Sequence, residues 1–570
     1  MSSKVIVRLS YQNIFKDRPK IFDLIQKVNK NESLIILSSI NKYEYKLRTD
    51  SYAEVRFILN EWLVEVNQKL KKKILSAFFK HAKKVNTQKS INPNFSTVTI
   101  INRISTLRLM ELLLSNKNNP NPKLTISKAE SEVNLFKLYL LIAEEISTRQ
   151  EIVFKKYFKK DKNFLDDIYF HLFLGITHPF LRSEIGESIQ PEIYKFLLFE
   201  KWLRARPDYY KMTTDYLEAI GLKSWYEYFT DVFNLCRGAT ENIIISAKIN
   251  PVLKVLLSHF RISEEISSSW SEFTNLKKNP LFKLENENYL ILDSEFLLEK
   301  LFTSLYHDLL YYSKRNNFHK FSQDYNTQFI EDNLLENTFK AVFGKSYIKL
   351  SESKIKQNKF KGIENLSLPD YYIRNGSKVF LFECKNSFIS NANKINLDTD
   401  KLLTEIRSKF YYVTNDNLSK EKSKAIRQLI NFINLSSKGE YRFFDNIINP
   451  ARLIYYPILL VTDPTLTSLG FNQLLNSYLK DEIEKINFTK KNKIKSLTII
   501  QIDDFLFHQT RLKRLSNIID QYHKYIKRKN GFDAMISFTD YLKTEVFLKP
   551  QAISKKNISH IIEGSLLPSE

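Results

Sequence analysis

The chain contains very little cysteine and little glycine. Its 570 residues include two cysteines, Cys236 and Cys384, and nine histidines. This excludes a disulfide framework and a cysteine-rich zinc site, and it suits a reducing cytoplasm. Only 11 glycines are present, which favours helices over glycine-punctuated β architecture. The chain also lacks a Walker loop, a dinucleotide-binding glycine pattern and a repeat of fixed period.

Long hydrophobic runs are also missing. The longest apolar stretches, such as 455–461 and 138–143, are too short to cross a bilayer. Residues 1–24 lack the apolar centre of a signal peptide. We therefore expect a soluble cytoplasmic protein with no membrane partner.

Positive charge is what the chain has in excess. With 87 Lys and Arg against 63 Asp and Glu, the formal net charge is +24 and the pI is near 9.5. Such a balance is typical of proteins that bind polyanions. Abundant Lys, Asn and Ile are also typical of AT-rich genomes, so the charge only supports a nucleic-acid partner. Hydrophobic residues make up 43% of the chain, which indicates a folded protein, and the length of 570 residues predicts two to four domains.

Residues 368–385, LPDYYIRNGSKVFLFECK, predict a β-hairpin. Two apolar, aromatic-rich runs flank Asn375-Gly376, a dipeptide that favours a tight two-residue turn. If this dipeptide forms the loop, Arg374 pairs with Ser377 and Tyr371 with Phe380. Alternation along the strands then predicts two faces. One carries Tyr371, Ile373, Phe380, Phe382 and Cys384, with Lys378 near the turn, and the other carries Asp370, Tyr372, Val379, Leu381, Glu383 and Lys385.

The charged residues of this hairpin follow a known pattern. Pro369-Asp370, then Glu383-Cys384-Lys385, resembles the signature of the PD-(D/E)XK nuclease superfamily, which has the restriction-endonuclease-like fold. The resemblance implies that Asp370 and Glu383 hold Mg²⁺, or Mn²⁺ in its place, with the backbone carbonyl of Cys384 as a further ligand. Lys385 would position or help deprotonate the attacking water. The alternative is a surface hairpin with a solvated Glu and Lys.

Elements around the hairpin extend the resemblance to about 327–504. Residues 325–343 predict the opening helix, which in this fold often carries a glutamate near its start; Glu331 fits that place best and Glu336 is second. The elements that would complete an αβββαβ core are strands at 347–350 and 453–461, helices at 398–411 and 420–435, and a further strand at 496–502.

A substrate contact is predicted on the second of these helices. Gln428, with Phe432 four residues on, resembles a Gln-x-x-x-Tyr helix motif of one branch of the superfamily, although Phe replaces Tyr. Lys424 and Arg427 beside it would contact phosphate, or merely keep the helix solvated.

The N-terminal half carries no recognisable family pattern. Short strands are predicted at 4–10, 33–39 and 43–48, and a helix is predicted after a capping box formed by Ser51 and Glu54. That helix runs into Lys69, Lys71, Lys72, Lys73, Lys80, Lys83 and Lys84, a set that suits either a nucleic-acid patch or a solvated helix end. Further predictions are a linker at 116–123, a mostly helical stretch at 128–271, a hairpin at 281–284 and 289–292, and a helix at 294–312.

Together these patterns predict a mixed α+β protein with four parts: a small sheet plus helices at 1–115, a helical domain at 124–276, a nuclease-like α/β domain at 280–550 and a tail at 551–570. We expect a Mg²⁺-dependent endonuclease, acting on DNA rather than RNA, in bacterial restriction or anti-phage defence. The alternative is an inactive nuclease-like subunit that binds nucleic acid or acts as a scaffold in a larger complex. Either a homodimer or a regulatory partner protein is compatible with the sequence.

Overall fold

A computed structural model describes residues 5–49, 51–91, 95–116, 126–157, 168–177, 185–357 except 264, 265, 268 and 271, 367–415, 420–486 except 441–444, 446 and 448, and 493–546 except 510. The chain forms two compact units. Unit 1 comprises Met1–Lys155, Leu181–Glu192 and Lys211–Tyr312, and unit 2 comprises Lys156–Phe180, Ile193–Tyr210 and Ser313–Glu570. Most of the predicted linker at 116–123 and all of the predicted tail at 551–570 lie outside the described residues.

Twelve strands occur in this described part of the chain. They are β1 (Val5–Arg8), β2 (Phe95–Thr99), β3 (Ile244–Ser246), β4 (Leu281–Lys283), β5 (Asn288–Ile291), β6 (Ile348–Ser351), β7 (Tyr371–Asn375), β8 (Lys378–Lys385), β9 (Tyr412–Asn415), β10 (Lys420–Ser423), β11 (Ile454–Val461) and β12 (Thr498–Gln501).

Helices make up most of the rest. The α-helices are α1 (Ile21–Ile25), α2 (Lys30–Thr49), α3 (Ser51–Phe57), α4 (Gln68–Ile91), α5 (Arg103–Ser115), α6 (Lys128–Tyr157), α7 (Ile168–Thr177), α8 (Ile185–Arg204), α9 (Pro207–Ala219), α10 (Trp225–Glu241), α11 (Lys254–His259), α12 (Thr274–Lys278), α13 (Ser294–Leu298), α14 (Thr303–Arg315), α15 (Phe321–Asp324), α16 (Glu336–Val342), α17 (Glu352–Gln357), α18 (Asn391–Ile395), α19 (Thr399–Phe410), α20 (Ala425–Ser437), α21 (Phe471–Lys485), α22 (Ile502–Phe507), α23 (Leu515–Lys527) and α24 (Phe538–Tyr541). Among the residues so described, no helix is both long and apolar enough to span a membrane.

The N-terminal strands are predicted only in part. β1 is present and pairs in parallel with β2, but the strands predicted at 33–39 and 43–48 are wrong, because α2 covers both. Leu34, Leu37 and Ile40 are fully buried, and their spacing of three places them on one side of a helix. This helical periodicity outweighs the β preference of the isoleucine-rich sequence around them.

The helix predicted after Ser51 is two helices, α3 and α4, with a π-helical turn at Ile58–Trp62 after α3. Glu54, predicted to form a capping box with Ser51, bonds to a distant segment. Its carboxylate is buried and accepts hydrogen bonds from the backbone N–H groups of Ile100, at 2.9 Å, and Ile101. A single glutamate therefore ties α3 to the segment after β2, a long-range contact that the local pattern does not reveal.

Further along unit 1, the predicted hairpin at 281–284 and 289–292 is confirmed as β4 and β5, to which β3 adds a third antiparallel strand. The helix predicted at 294–312 is interrupted at Phe302 between α13 and α14. Asp293 caps α13 by accepting the N–H groups of Glu295 and Phe296, both at 3.0 Å. The same carboxylate forms a buried ion pair with Arg103 at 2.7 Å.

Unit 2 contains a mixed five-stranded sheet of order β12-β11-β8-β7-β6. β6, β7 and β8 are antiparallel neighbours, whereas β11 and β12 run parallel to β8. The helix, three strands, helix and strand predicted for the core are present in that order. The protein is thus a mixed α/β protein whose C-terminal half carries a mixed sheet.

Helices cover both faces of this sheet. On one face Phe339 of α16 packs against Tyr371 and Phe382, with ring centroids 4.9 and 4.5 Å apart. On the other face, the ring centroid of Phe432 in α20 lies 6.1 Å from that of Tyr372. The predicted division of the hairpin into two faces is therefore confirmed, but both faces are buried.

The predicted hairpin register is wrong by two residues. Tyr371 pairs with Phe382, and Asn375 with Lys378, so the loop is Gly376-Ser377. Gly376 has a φ of +60°, a value that suits glycine at the first position of a two-residue loop. Because the side-chain period is two, this shift leaves every residue on its predicted face. The observed register also places Asp370, the residue directly before β7, opposite Glu383.

The helix predicted at 420–435 begins later than expected. Lys420–Ser423 forms β10, which pairs antiparallel with β9, and α20 starts at Ala425. The apolar spacing that predicts a helix starts only at Ala425 and Ile426, both of which are fully buried. The lysines before them carry no such pattern.

A buried histidine in unit 2 gives a testable pH dependence of stability. His523 of α23 is 9% exposed, and its Nε2 lies 2.9 Å from the Thr498 hydroxyl. Burial, helped by Lys527 and Lys495, lowers its pKa from 6.5 to about 4. The unfolded chain therefore binds this proton first, so stability is lost as the pH falls from 6.5 towards 4. We expect a loss of about 3 kcal/mol from this group.

Urea unfolding at pH 7 and pH 4 would measure this effect. His523→Gln should lose about 3 kcal/mol less than the wild type between these two pH values. The exposed His319 provides the control, since His319→Gln should behave like the wild type. Equal pH dependence of His523→Gln and the wild type would contradict the assignment.

Candidate active site

Four of the five strands of the unit 2 sheet present polar residues at one edge. β6, β8, β11 and β12 run towards this edge and β7 starts from it. Glu352 follows β6, Asp370 precedes β7, and Glu383 and Lys385 end β8. Thr462 follows β11. The fold thus brings together side chains that are far apart in the sequence.

Asp370 is held at this edge by the backbone of the neighbouring strands. Its Oδ2 accepts the N–H of Cys384 at 2.6 Å, and its own carbonyl accepts the N–H of Glu352 at 3.0 Å. Burial raises the pKa of Asp370, and the Lys385 ammonium and the Cys384 N–H offset this only in part. The carboxyl group is therefore fixed in place but poorly compensated as an anion.

Glu383 is the most deeply buried acid of the group, at 1% exposure. Its Oε1 accepts a hydrogen bond from Lys385 Nζ at 2.7 Å, whereas Oε2 has no hydrogen-bond partner among the described residues. Burial and the charge of Asp370 raise the pKa of Glu383 to about 8. A buried carboxylate oxygen without a partner is costly, so this atom is suited to receive a cation or a donor group.

Lys385 supplies positive charge next to these acids. Burial disfavours its ammonium, but Glu383 and Asp370 outweigh that effect and raise its pKa above the usual value. The side chain is 22% exposed, so the ammonium is charged and within reach of solvent. An ammonium has three donors, of which Glu383 Oε1 takes one.

Glu331 reaches the same cluster from a helix. It lies in a π-helical segment, Tyr325–Leu335, a conformation that occurs often at functional sites. Burial and the nearby charge of Asp370 raise the pKa of Glu331 to about 8, while Lys385 acts in the opposite direction. Glu336, the second choice in the sequence, instead pairs with Lys354 at 2.6 Å.

Several residues of this edge are not predicted from the sequence. Glu352 acts on the pKa values of Glu331, Asp370 and Glu383, although it also pairs with Lys356 at 2.8 Å. Only the pairing of β6 with β7 places it there. A polar chain also follows Lys385. Asn386 donates to Asn326 and accepts from the Thr462 hydroxyl, both at 2.6 Å, and this links β8 to the π-helix and to β11.

Cys384 contributes little through its side chain. The thiol is buried, and burial raises its pKa well above the usual value, so it stays neutral and apolar. The role predicted for its backbone carbonyl as a metal ligand stays a prediction.

The three predicted substrate contacts on and before α20 differ in their surroundings. Lys424 lies near the cluster: burial lowers its pKa, the charges of Lys422 and Lys385 lower it further, and Glu383 raises it. Arg427 is engaged elsewhere. Its Nε donates to Glu482 at 3.1 Å and its guanidinium lies 4.2 Å from the Tyr412 ring centroid. Gln428 is half-buried one turn before Phe432.

The donor set suits a hard divalent cation in its chemistry. Glu383, Asp370 and Glu331 offer carboxylate oxygens, the ligands that Mg²⁺ and Mn²⁺ prefer, and the Glu383 Oε2 atom lacks a partner. Over the described residues, however, no three His, Cys, Asp or Glu side chains are arranged to hold a metal ion. Asp370 Oδ2 accepts a backbone N–H and Glu383 Oε1 accepts a hydrogen bond from Lys385, so one oxygen of each carboxylate is already occupied.

Comparison of the chain with protein-family models, with curated proteins and with solved structures finds no match. A functional assignment therefore depends on the residues and geometry described above.

Proposed function

We propose that this protein is a metal-dependent nuclease with a restriction-endonuclease-like domain in unit 2, and that DNA is its substrate. One observation carries the proposal. The buried Glu383 carboxylate has one unpartnered oxygen, is bonded to Lys385 through the other, and lies near enough to Asp370 for that charge to raise its pKa. A role in restriction or anti-phage defence extends this proposal by fold-level analogy.

Asp370 and Glu383 would hold Mg²⁺, or Mn²⁺ in its place, with Glu331 as a further acid. When bound, the ion supplies positive charge beside the phosphate and lowers the pKa of a coordinated water. Three of the acids have raised pKa values, which means that their negative charge is under-compensated in the folded protein. A divalent cation would relieve that repulsion.

Lys385 would orient the attacking water. One of its N–H groups is held by Glu383 Oε1 at 2.7 Å, so the direction of the ammonium is restricted and its other donors remain for a water or a phosphate oxygen. Because the side chain is partly exposed, a substrate can approach it from solvent. Attack in line with the leaving oxygen then breaks the phosphodiester bond.

A binding or scaffolding subunit without catalysis is the second candidate. Two observations favour it: over the described residues no three acids are arranged to hold a metal ion, and Glu383 is paired with Lys385. Such a protein would bind nucleic acid equally well with Mg²⁺ and with EDTA, and it would not cleave.

Digestion of plasmid and single-stranded DNA tests the proposal. We expect cleavage in Mg²⁺ that is abolished by EDTA and by Asp370→Ala, because the first removes the ion and the second removes a ligand. Asp400→Ala, which alters an exposed carboxylate of α19, should cleave normally. Cleavage by Asp370→Ala at the wild-type rate would contradict the site, and no cleavage by the wild type would favour the scaffolding subunit.

A further inference from the structure

Helix α4 in unit 1 has an unusual charge distribution. Its 24 residues, QKLKKKILSAFFKHAKKVNTQKSI, include eight lysines and no aspartate or glutamate. Ile74 and Phe78 are buried and fix its inner side. At about 100° per residue, Lys69, Lys72, Lys80 and Lys83 fall on the opposite side, and all four are exposed. The outer side of α4 is therefore an exposed row of lysines, with Lys73 and Lys84 at its margin.

Few local acids compensate this charge. In the described part of the chain, no carboxylate forms an ion pair with Lys69, Lys72, Lys80 or Lys84. Glu65, the acid that precedes α4 in the sequence, lies 4.0 Å from Lys128 instead. The pKa of His81 is lowered by burial and by Lys84 and Lys80, as expected where positive charge is not neutralised.

Two exposed aromatic rings border the lysine row. Phe79 of α4 is 49% exposed and Tyr52 of α3 is 58% exposed, and their ring centroids are 6.1 Å apart. Arg56, one turn after Tyr52 on α3, is also exposed. Adjacent exposed rings beside a cationic surface suit a ligand with both anionic and aromatic parts.

We propose that this surface of unit 1, the lysine row of α4 with Tyr52 and Phe79, binds single-stranded nucleic acid. Phosphates would lie along the lysines and bases would stack on the two rings, a combination that proteins use to bind single strands. From Lys69 to Lys84 the helix rises by about 22 Å, a length that suits a few nucleotides. A duplex would use the lysines but not the rings, because its bases are already stacked.

Fluorescence anisotropy of a labelled 20-nucleotide oligo(dT) with the full chain in EDTA tests this surface. Without metal the probe is not consumed, so binding is measured independently of the nuclease proposal. Lys72→Ala/Lys80→Ala/Lys84→Ala should weaken binding at least about 10-fold and flatten the slope of log K against log salt by about 2, at roughly 0.7 per lost phosphate contact.

The matched control removes the same charge from elsewhere in unit 1. Lys211, Lys223 and Lys248 are exposed and lie outside α4; their triple alanine variant should bind nearly as the wild type does. If both triple variants lose affinity equally, binding reflects net charge alone and the surface is not a site. Circular dichroism would show that both variants are folded.

A variant that lacks the two rings tests whether this surface prefers single strands to duplexes. Tyr52→Ala/Phe79→Ala should weaken oligo(dT) binding at least about 10-fold with an unchanged salt slope, since stacking carries no charge. Oligo(U) should compete like oligo(dT), because either sugar leaves the bases free to stack, and a blunt 20-base-pair duplex should compete at least about 10-fold less well. Equal competition by the duplex, or full affinity of the ring variant, would overturn the stacking surface.

Discussion

Replacing Lys385 with alanine is expected to reduce cleavage by at least about 100-fold and to leave nucleic-acid binding intact. Positioned groups that assist proton transfer typically contribute about 10² to 10⁴ in rate, and Lys385 is the only lysine bonded to Glu383 among the described residues. The fold should survive the change. Burial already raises the pKa of Glu383 to about 8 and also raises that of Asp370, so both acids take up protons more readily when the ammonium is lost, which limits the cost of leaving them buried.

The control for this variant lies on the same strand. Lys378, at the other end of β8, donates to the Ser516 hydroxyl at 2.9 Å, so Lys378→Ala should cleave at close to the wild-type rate. Rates would be measured under single-turnover conditions in Mg²⁺, with thermal melting as the check on folding. If the wild type cleaves and Lys385→Ala cleaves equally well, the mechanism proposed for this lysine is wrong.

The largest effect on stability is expected at Asp293 in unit 1. This carboxylate, 3% exposed, binds Arg103 through two hydrogen bonds, from Nε at 3.1 Å and from Nη2 at 2.7 Å. It also caps α13. Asp293→Ala leaves the buried guanidinium with Glu295 as its remaining acid and removes the cap. We expect a loss of about 3 kcal/mol in the free energy of unfolding.

Urea unfolding of Asp293→Ala and of Asp215→Ala would measure this difference. Asp215 is an exposed acid on α9 in the same unit, so its removal should cost less than about 0.5 kcal/mol. A loss below about 1 kcal/mol for Asp293→Ala would show that Arg103 is satisfied without it.

Which side chains share a face of the β7–β8 hairpin is readable from the sequence, because alternation requires only that both strands be extended. The loop position is not readable. Asn375-Gly376 and Gly376-Ser377 both place a glycine in a two-residue loop, and the choice between them depends on β6 and β11, which pair with the hairpin from either side. The placement of Asp370, Glu383 and Lys385 on one face thus follows from local pattern. Which of them lie opposite one another does not.

The rest of the site and of unit 1 depends on contacts between distant segments. Glu352 joins the acids only because β6 lies next to β7, and Asn386 meets Thr462 only because β8 lies next to β11. In unit 1 the stretch that forms α2 has strong β propensity. The burial of Leu34 and Leu37 on one side of a helix outweighs that preference. Single-sequence patterns contain none of this information.

The pairing of β8 with β11 also determines when the site can exist during synthesis. Asp370, Glu383 and Lys385 lie on one hairpin that can close locally, but β8 becomes an inner strand only after β11, which begins at Ile454, has left the ribosome. Pairing between segments so far apart is slow, because a long loop must close first. Until then β8 lacks the neighbour that covers one of its sides, so the burial that raises the pKa of Glu383 is incomplete. A nascent chain therefore carries all of its proposed catalytic residues without the environment that shifts their pKa values, and the site matures late, when the domain is nearly complete.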